Sequence, residues 1–213
     1  MGKAGACYAM WVDVDGSDLE ALAGLTRVRA AEGKHSEVAD LLTRRIDAEM
    51  DPDTRLGLRR ELAALYAGAL ADPRKATEAY EGVLDEAPTD RAAIAELEAL
   101  YEQQKRWEDL RSLLERRHDN AENDAERVAA KVRLARLEET AFGRRAQAIE
   151  QLIEILQIDP NHGEALDELE RLLAAEKKWD ELVDRLEQRI EANPGAGSVP
   201  PLERLAVVHR DQR

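Results

Sequence analysis

The sequence predicts an all-α protein made of stacked helical hairpins, and three observations carry that reading. Of 213 residues, 36% are charged and only 4% aromatic, and Ala and Leu dominate the hydrophobic share. Ala, Leu, Glu and Arg are good helix formers, whereas the β-branched and aromatic residues that build sheets are scarce. The chain also matches itself at an offset of 72 residues, through Leu25/Leu97/Leu169, His35/Trp107/Trp179, Val38/Leu110/Leu182, Leu42/Leu114/Leu186 and Arg45/Arg117/Arg189. A second set, Leu62/Leu134, Ala63/Ala135, Ala76/Ala148, Leu84/Leu156 and Pro88/Pro160, interleaves with the first. Finally, the apolar positions inside each segment recur at helical spacing, as in Ala165, Leu166, Leu169, Leu172 and Leu173. A single amphipathic hairpin cannot bury its apolar faces alone, but stacked neighbours can.

The two interleaved sets define two hairpin types, one marked by tryptophan and one by proline. KAGACYAMWVDVDGSD (Lys3–Asp18) aligns with Lys75–Asp90 through Lys3, Ala4, Tyr8, Val12, Asp13 and Asp18, so residues 3–15 read as the second helix of a Pro-type hairpin. Residues 16–50 form the first Trp-type hairpin, with His35 where the later copies place Trp107 and Trp179. Residues 53–89 and 125–160 are Pro-type, and 90–122 and 161–195 are Trp-type. In the last of these, Trp179, Leu182, Val183, Leu186 and Ile190 mark the second helix, AEKK is the turn, and NPG (Asn193–Gly195) is the stop. PPLERLAVVHRDQR (Pro200–Arg213) echoes Leu134-Ala135 with Leu205-Ala206 and reads, over 199–213, as the first helix of a further Pro-type hairpin. The expectation is five full hairpins and two complementary halves, about twelve helices in one domain over 1–213, drawn from a longer array.

NHGEALDELERLLAAEKKWDELVDRLEQRIEANPG (Asn161–Gly195) resembles a tetratricopeptide repeat in its ~34-residue length, its acidic second-helix opening and its NP ending. AIEQLIEILQIDPNH (Ala148–His162) and KATEAYEGVLDEAP (Lys75–Pro88) are similar to the family's closing segment, and Ala63 and Ala135 occupy its small crossing position. The copies depart from the family with Thr26, Glu98 and Glu170 at that position in the Trp-type hairpins, with Arg45, Arg117 and Arg189 where Ala is usual, and with one extra turn residue in the Pro-type hairpins. The resemblance covers nearly the whole chain and implies a right-handed α-solenoid of divergent, alternating repeats.

The net charge of −14 argues against nucleic acid or an anionic membrane as partner, because both need concentrated positive charge. The single cysteine, Cys7, excludes an internal disulfide and a CxxC metal site. AGACYAMWV (Ala4–Val12) is too short for a secretory core, and no run reaches the ~18–20 apolar residues of a membrane span. Arginine outnumbers lysine 24 to 7, which points to a GC-rich, bacterial-like genome, and the expected location is cytoplasmic. His35, His118, His162 and His209 are dispersed in the repeat frame, without metal-ligand spacing, and read as structural or surface residues. No nucleophile motif or phosphate-binding loop is present, so no catalytic residue, metal or cofactor is expected.

In tetratricopeptide arrays the exposed face of the first helices lines the ligand groove. Helical geometry around Leu169 places Glu164, Asp167, Arg171 and Ala174 there, and the same offsets select Arg27, Arg60, Ala64, Ala95, Ala99 and Arg136 in the other copies. The expected function is a non-catalytic scaffold that binds a partner helix or peptide on this shallow face, with the arginines gripping carboxylates. A regulatory domain that senses a ligand or peptide for an effector outside the chain is the alternative. KRWEDL (Lys105–Leu110) and KKWDEL (Lys177–Leu182) suggest binding motifs, but the repeat frame makes Trp107 and Trp179 packing residues at the start of second helices. Arg45, Arg117 and Arg189 recur in every Trp-type copy and are expected to pair with carboxylates between consecutive hairpins. The complementary half hairpins suggest head-to-tail self-association.

Overall fold

The structure is a computed structural model and describes residues 2–192 and 199–211. Among the described residues there are twelve helices and no strands: α1 (Lys3–Val14), α2 (Leu19–Ala31), α3 (His35–Ala48), α4 (Pro52–Ala67), α5 (Pro73–Glu86), α6 (Arg91–Gln104), α7 (Trp107–Asp119), α8 (Asp124–Thr140), α9 (Arg145–Ile158), α10 (Gly163–Ala175), α11 (Trp179–Ala192) and α12 (Val199–Asp211). The NPG stop at Asn193–Gly195 lies outside the described residues, as does the side chain of His209. None of these helices is long and apolar enough to cross a membrane.

Local chemistry sets the helix starts. Asp18, Asp51, Asp72, Asp90 and Asn123 each accept a backbone N–H from the first turn, and Pro52 and Pro73 sit where a missing N–H costs nothing. Those caps begin α4 and α8 at Pro52 and Asp124, one residue before the boundaries read from periodicity. His162 caps α10 with Nδ1, which accepts from the Ala165 N–H at 3.2 Å. The turns inside the hairpins share one device, a residue of positive φ. Gly33, Lys105 and Lys177 hold it in the Trp-type turns, and Ala71 and Gly143 in the Pro-type turns, at the same 72-residue register. In the Trp-type turns the following N–H reaches back to a helix carbonyl, as Lys34 to Arg29, Arg106 to Tyr101 and Lys178 to Leu173.

The helices gather into two compact units, Met1–Leu113 and Leu114–Arg213. Within each, a helix packs chiefly on its immediate neighbours in sequence, as a repeat architecture requires. In the first unit, Val12, Leu22, Leu25 and Leu41 form one buried cluster with Tyr8 packed on it, and Val38, Leu42, Ile46 and Leu58 form another. α1 meets α2 unusually closely: a Cβ on Gly24 would lie 2.4 Å from the Tyr8 ring, so only glycine fits there. The Tyr101 hydroxyl donates to Glu81 at 2.8 Å, and Gln104 donates to Thr77 at 2.7 Å, fastening α6 to α5. In the second unit, Leu152, Ile155, Leu169, Leu172, Leu182 and Leu186 make a continuous core, with Trp179 half-buried against it.

Arg189, the last of the three repeated arginines, departs from the between-hairpin expectation. Arg189 of α11 pairs with Asp167 and Glu170 of α10, both at 2.9 Å, so its bonds run within the hairpin. Glu170 is buried and is shared with Arg204 of α12. In the first copy Thr26 stands in the register of Glu170, and the buried Nε of Arg45 has no hydrogen-bond partner. The pairing has a simple cause: the buried Glu170 carboxylate stands at the helix-crossing position within reach of Arg189, whereas Glu191 lies on the exposed side.

Candidate functional site

The first-helix face is exposed in both units. In the first, Arg27 and Ala30 of α2, Gly57, Arg60, Ala64 and Ala67 of α4, and Ala92, Ala95 and Ala99 of α6 all face solvent. The apolar stripes of these helices turn the other way, with Leu22, Leu25, Leu58, Ile94 and Leu97 buried. One ion pair ties α4 to α6 at this face: Arg60 reaches Asp90 at 2.6 Å, and the same carboxylate caps α6 through the Ala93 N–H at 2.9 Å. Burial raises the Asp90 carboxyl, but the Ala93 N–H and Arg60 outweigh it and leave the pKa below its ordinary value.

In the second unit the face is laced with charge pairs between α8 and α10. Arg136 bonds Glu164, and Arg171 bonds Glu139 as well as Glu168 at 2.7 Å. The hydrogen bonds that Arg171 donates to Glu139 and Glu168 raise its pKa further above its already high value. Three of the four groove arginines are therefore engaged by the protein's own acids, and among the described residues only Arg27 of the four has no ion-pair partner. A partner's carboxylate would have to displace an existing one at Arg60, Arg136 or Arg171, which leaves little net gain at an exposed site.

Two open grooves lie in the second unit. One, of about 670 Å³, is lined by Arg117, Asp124, Val128, Val132, Ile158 and His162. The other, of about 830 Å³, lies among α10, α11 and α12 and includes Trp179, Leu186, Arg204 and Val207. Among the described residues no group of three or more His, Cys, Asp or Glu side chains is placed to hold a metal ion. His35 and His118 are half-buried, and His118 occupies the register of Ile46 with its Nδ1 buried and unpartnered. Trp107 and Trp179 open α7 and α11, both half-buried. The cap at His162 is signalled only by its register with Asp18 and Asp90, and the seat of Tyr8 on Gly24 depends on geometry alone.

No family profile matches the chain, and no curated protein does either. Solved structures do match. A chain of the Naa15/Naa10 assembly bound to HypK-THB superposes with a TM-score of 0.60 over 93% of this chain and 30% of its own length, at 14% identity. The chain has the tetratricopeptide-repeat fold. Looser matches are Pseudomonas aeruginosa pilF, with a TM-score of 0.48 at 19% identity over 93% of this chain and 88% of that one, and MamA from Desulfovibrio magneticus RS-1, with 0.45 at 16% over 91% and 96%. In tetratricopeptide terms α2, α4, α6, α8, α10 and α12 are first helices, and α1, α3, α5, α7, α9 and α11 are second helices. The tetratricopeptide fold thus assigns the exposed face described above to the first helices.

Proposed function

We propose that the chain is a non-catalytic protein-interaction scaffold whose first-helix face receives a helix or extended segment of another protein. The observation that carries this reading is the exposed floor of small residues on α4 and α6, where Gly57, Ala64, Ala95 and Ala99 lie in solvent on helices fastened together by Arg60 and Asp90. Side chains this short let a partner backbone approach closely, and the fixed spacing of the two helices lowers the ordering cost of binding. Arg27, at the neighbouring first helix, supplies a cation that no acid of the described residues engages. The likeness of fold to a chain of the Naa15/Naa10 assembly is compatible with a role in assembly.

A photo-crosslinking residue placed at Ala64 or Ala95 should capture a protein partner, whereas the same residue at Glu78 or Ser112, exposed on second helices, should not. The tryptophan variants Ala64→Trp and Ala95→Trp should abolish binding of that partner without loss of helicity. Equal capture from Glu78 and Ser112 would remove this face from consideration.

A further inference from the structure

α1 and α12 are exposed where their counterparts in the repeat are buried. By register α1 corresponds to α5 and α9, and α12 corresponds to α4 and α8. The pairs α4–α5 and α8–α9 are the most closely packed in the chain. Ala4 of α1 is exposed, although Ala76 and Ala148 at the same register are fully buried. Trp11 is 43% exposed at the position of the fully buried Val83 and Ile155. On α12, Ala206 is exposed at the crossing position that buries Ala63 and Ala135.

The contact positions are complementary. In α8–α9, Lys131 bonds Glu154 across the hairpin. In α4–α5 the same two positions hold Arg59 and Gly82, and the Arg59 guanidinium lies 3.4 Å from where a Gly82 Cβ would stand. At the outer helices these positions become Leu202 of α12, 46% exposed, and Met10 of α1, 69% exposed. A cation beside an acid or a glycine has been replaced on both sides by an exposed apolar side chain. α1 is also firmly seated on its other face, where the Tyr8 ring lies over Gly24 and Val28 meets Gly5. It therefore presents Met10 and Trp11 on a fixed helix rather than on a loose tail.

We propose that α12 of one copy of this chain packs against α1 of a second copy, completing a Pro-type hairpin in the manner of α8 with α9. The interface joins two different surfaces, so it is head-to-tail and can repeat from copy to copy. This interface is separate from the first-helix face and does not depend on its reading.

Sedimentation of the 213-residue chain over a wide concentration range tests the proposal. The weight-average mass should rise with concentration and pass that of a dimer. Met10→Glu and Leu202→Lys should each hold the chain at monomer mass, with unchanged helical circular dichroism because both side chains are exposed. Mixing the two single variants should restore concentration-dependent growth, because every junction between unlike chains is then either the wild-type Leu202–Met10 contact or a lysine facing a glutamate. Both substitutions in one chain recreate the Lys131–Glu154 pair in its own polarity and should restore concentration-dependent growth. A wild-type chain that stays monomeric throughout overturns the proposal, and so does assembly that survives both single substitutions.

Discussion

Arg189 Nη1 lies 2.9 Å from Oε1 of Glu170, a carboxylate that is buried at the crossing of two helices and shared with Arg204. A buried carboxylate between two guanidiniums is stabilising only while the set is whole, since loss of one member leaves uncompensated charge. Glu170→Ala removes the buried acid and leaves Arg189, itself mostly buried, and Arg204 to share the more exposed Asp167. The expected cost is about 2–4 kcal/mol in chemical denaturation. A loss within measurement error would show that solvent already satisfies both arginines.

The first Trp-type copy lacks this set. Arg45 stands in the register of Arg189, Thr26 in that of Glu170, and the Arg45 Nε is buried without a partner. Thr26→Glu should place a carboxylate opposite that guanidinium at the cost of the Thr26 hydroxyl bond to Leu22 O. We expect a gain of about 1 kcal/mol, visible as slower amide exchange in α2 and α3. Faster exchange there would mean that the site cannot desolvate a second charge.

Lys105 and Lys177 occupy left-handed backbone, both with φ of 56°, at the register where the first hairpin has Gly33 with φ of 71°. A side chain with a Cβ is strained there, whereas glycine is not. Lys105→Gly and Lys177→Gly should each stabilise by about 0.5–1 kcal/mol, after allowing for the greater freedom of glycine in the unfolded chain. Thermal denaturation of each single variant is the direct measurement, and a lowered Tm in both would contradict the strain.

Asp90 and Asp167 both sit below the ordinary aspartate range. In each, burial acts upward and is outweighed, by the Ala93 N–H and Arg60 at Asp90 and by Arg189 and Arg204 at Asp167. A carboxyl whose folded pKa is depressed contributes stability above its unfolded pKa, near 3.9, and that contribution fades as pH falls through the folded value. Stability should therefore decline progressively below about pH 4. Asp90→Asn keeps an N-cap and should flatten part of that decline, while Asp90→Ala should cost about 1 kcal/mol more at neutral pH. Urea midpoints measured across the acid range would separate the two.

The helix count and most helix boundaries could be read from the residues, because the hydrophobic spacing breaks at each turn and five starts carry a local signal, Asp or Asn before the helix, joined by Pro at the first position of α4 and α5. The repeat was legible because Leu25, Leu97 and Leu169 answer to the same packing demand. The partners of the arginines were not. Arg60 meets Asp90, Arg136 meets Glu164 and Arg171 meets Glu139 across 30, 28 and 32 residues, distances at which sequence offers many equivalent acids. The exposed face could be drawn from helical geometry, but its charge balance could not, since that depends on which of those acids is nearest. The left-handed turns at Ala71, Lys105 and Lys177 were hidden for a different reason: the residues that hold them are not the glycines that usually announce such a turn.

Those turns give the chain an unexpected kind of interchangeability. Gly33, Lys105 and Lys177 leave their helices by the same backbone route, as do Ala71 and Gly143. A segment cut at any one of these joints and rejoined at the next of its kind meets a backbone already bent in the required sense. Length can then change by a whole hairpin pair with no new joint to invent, because Gly, Lys and Ala all hold the same bend.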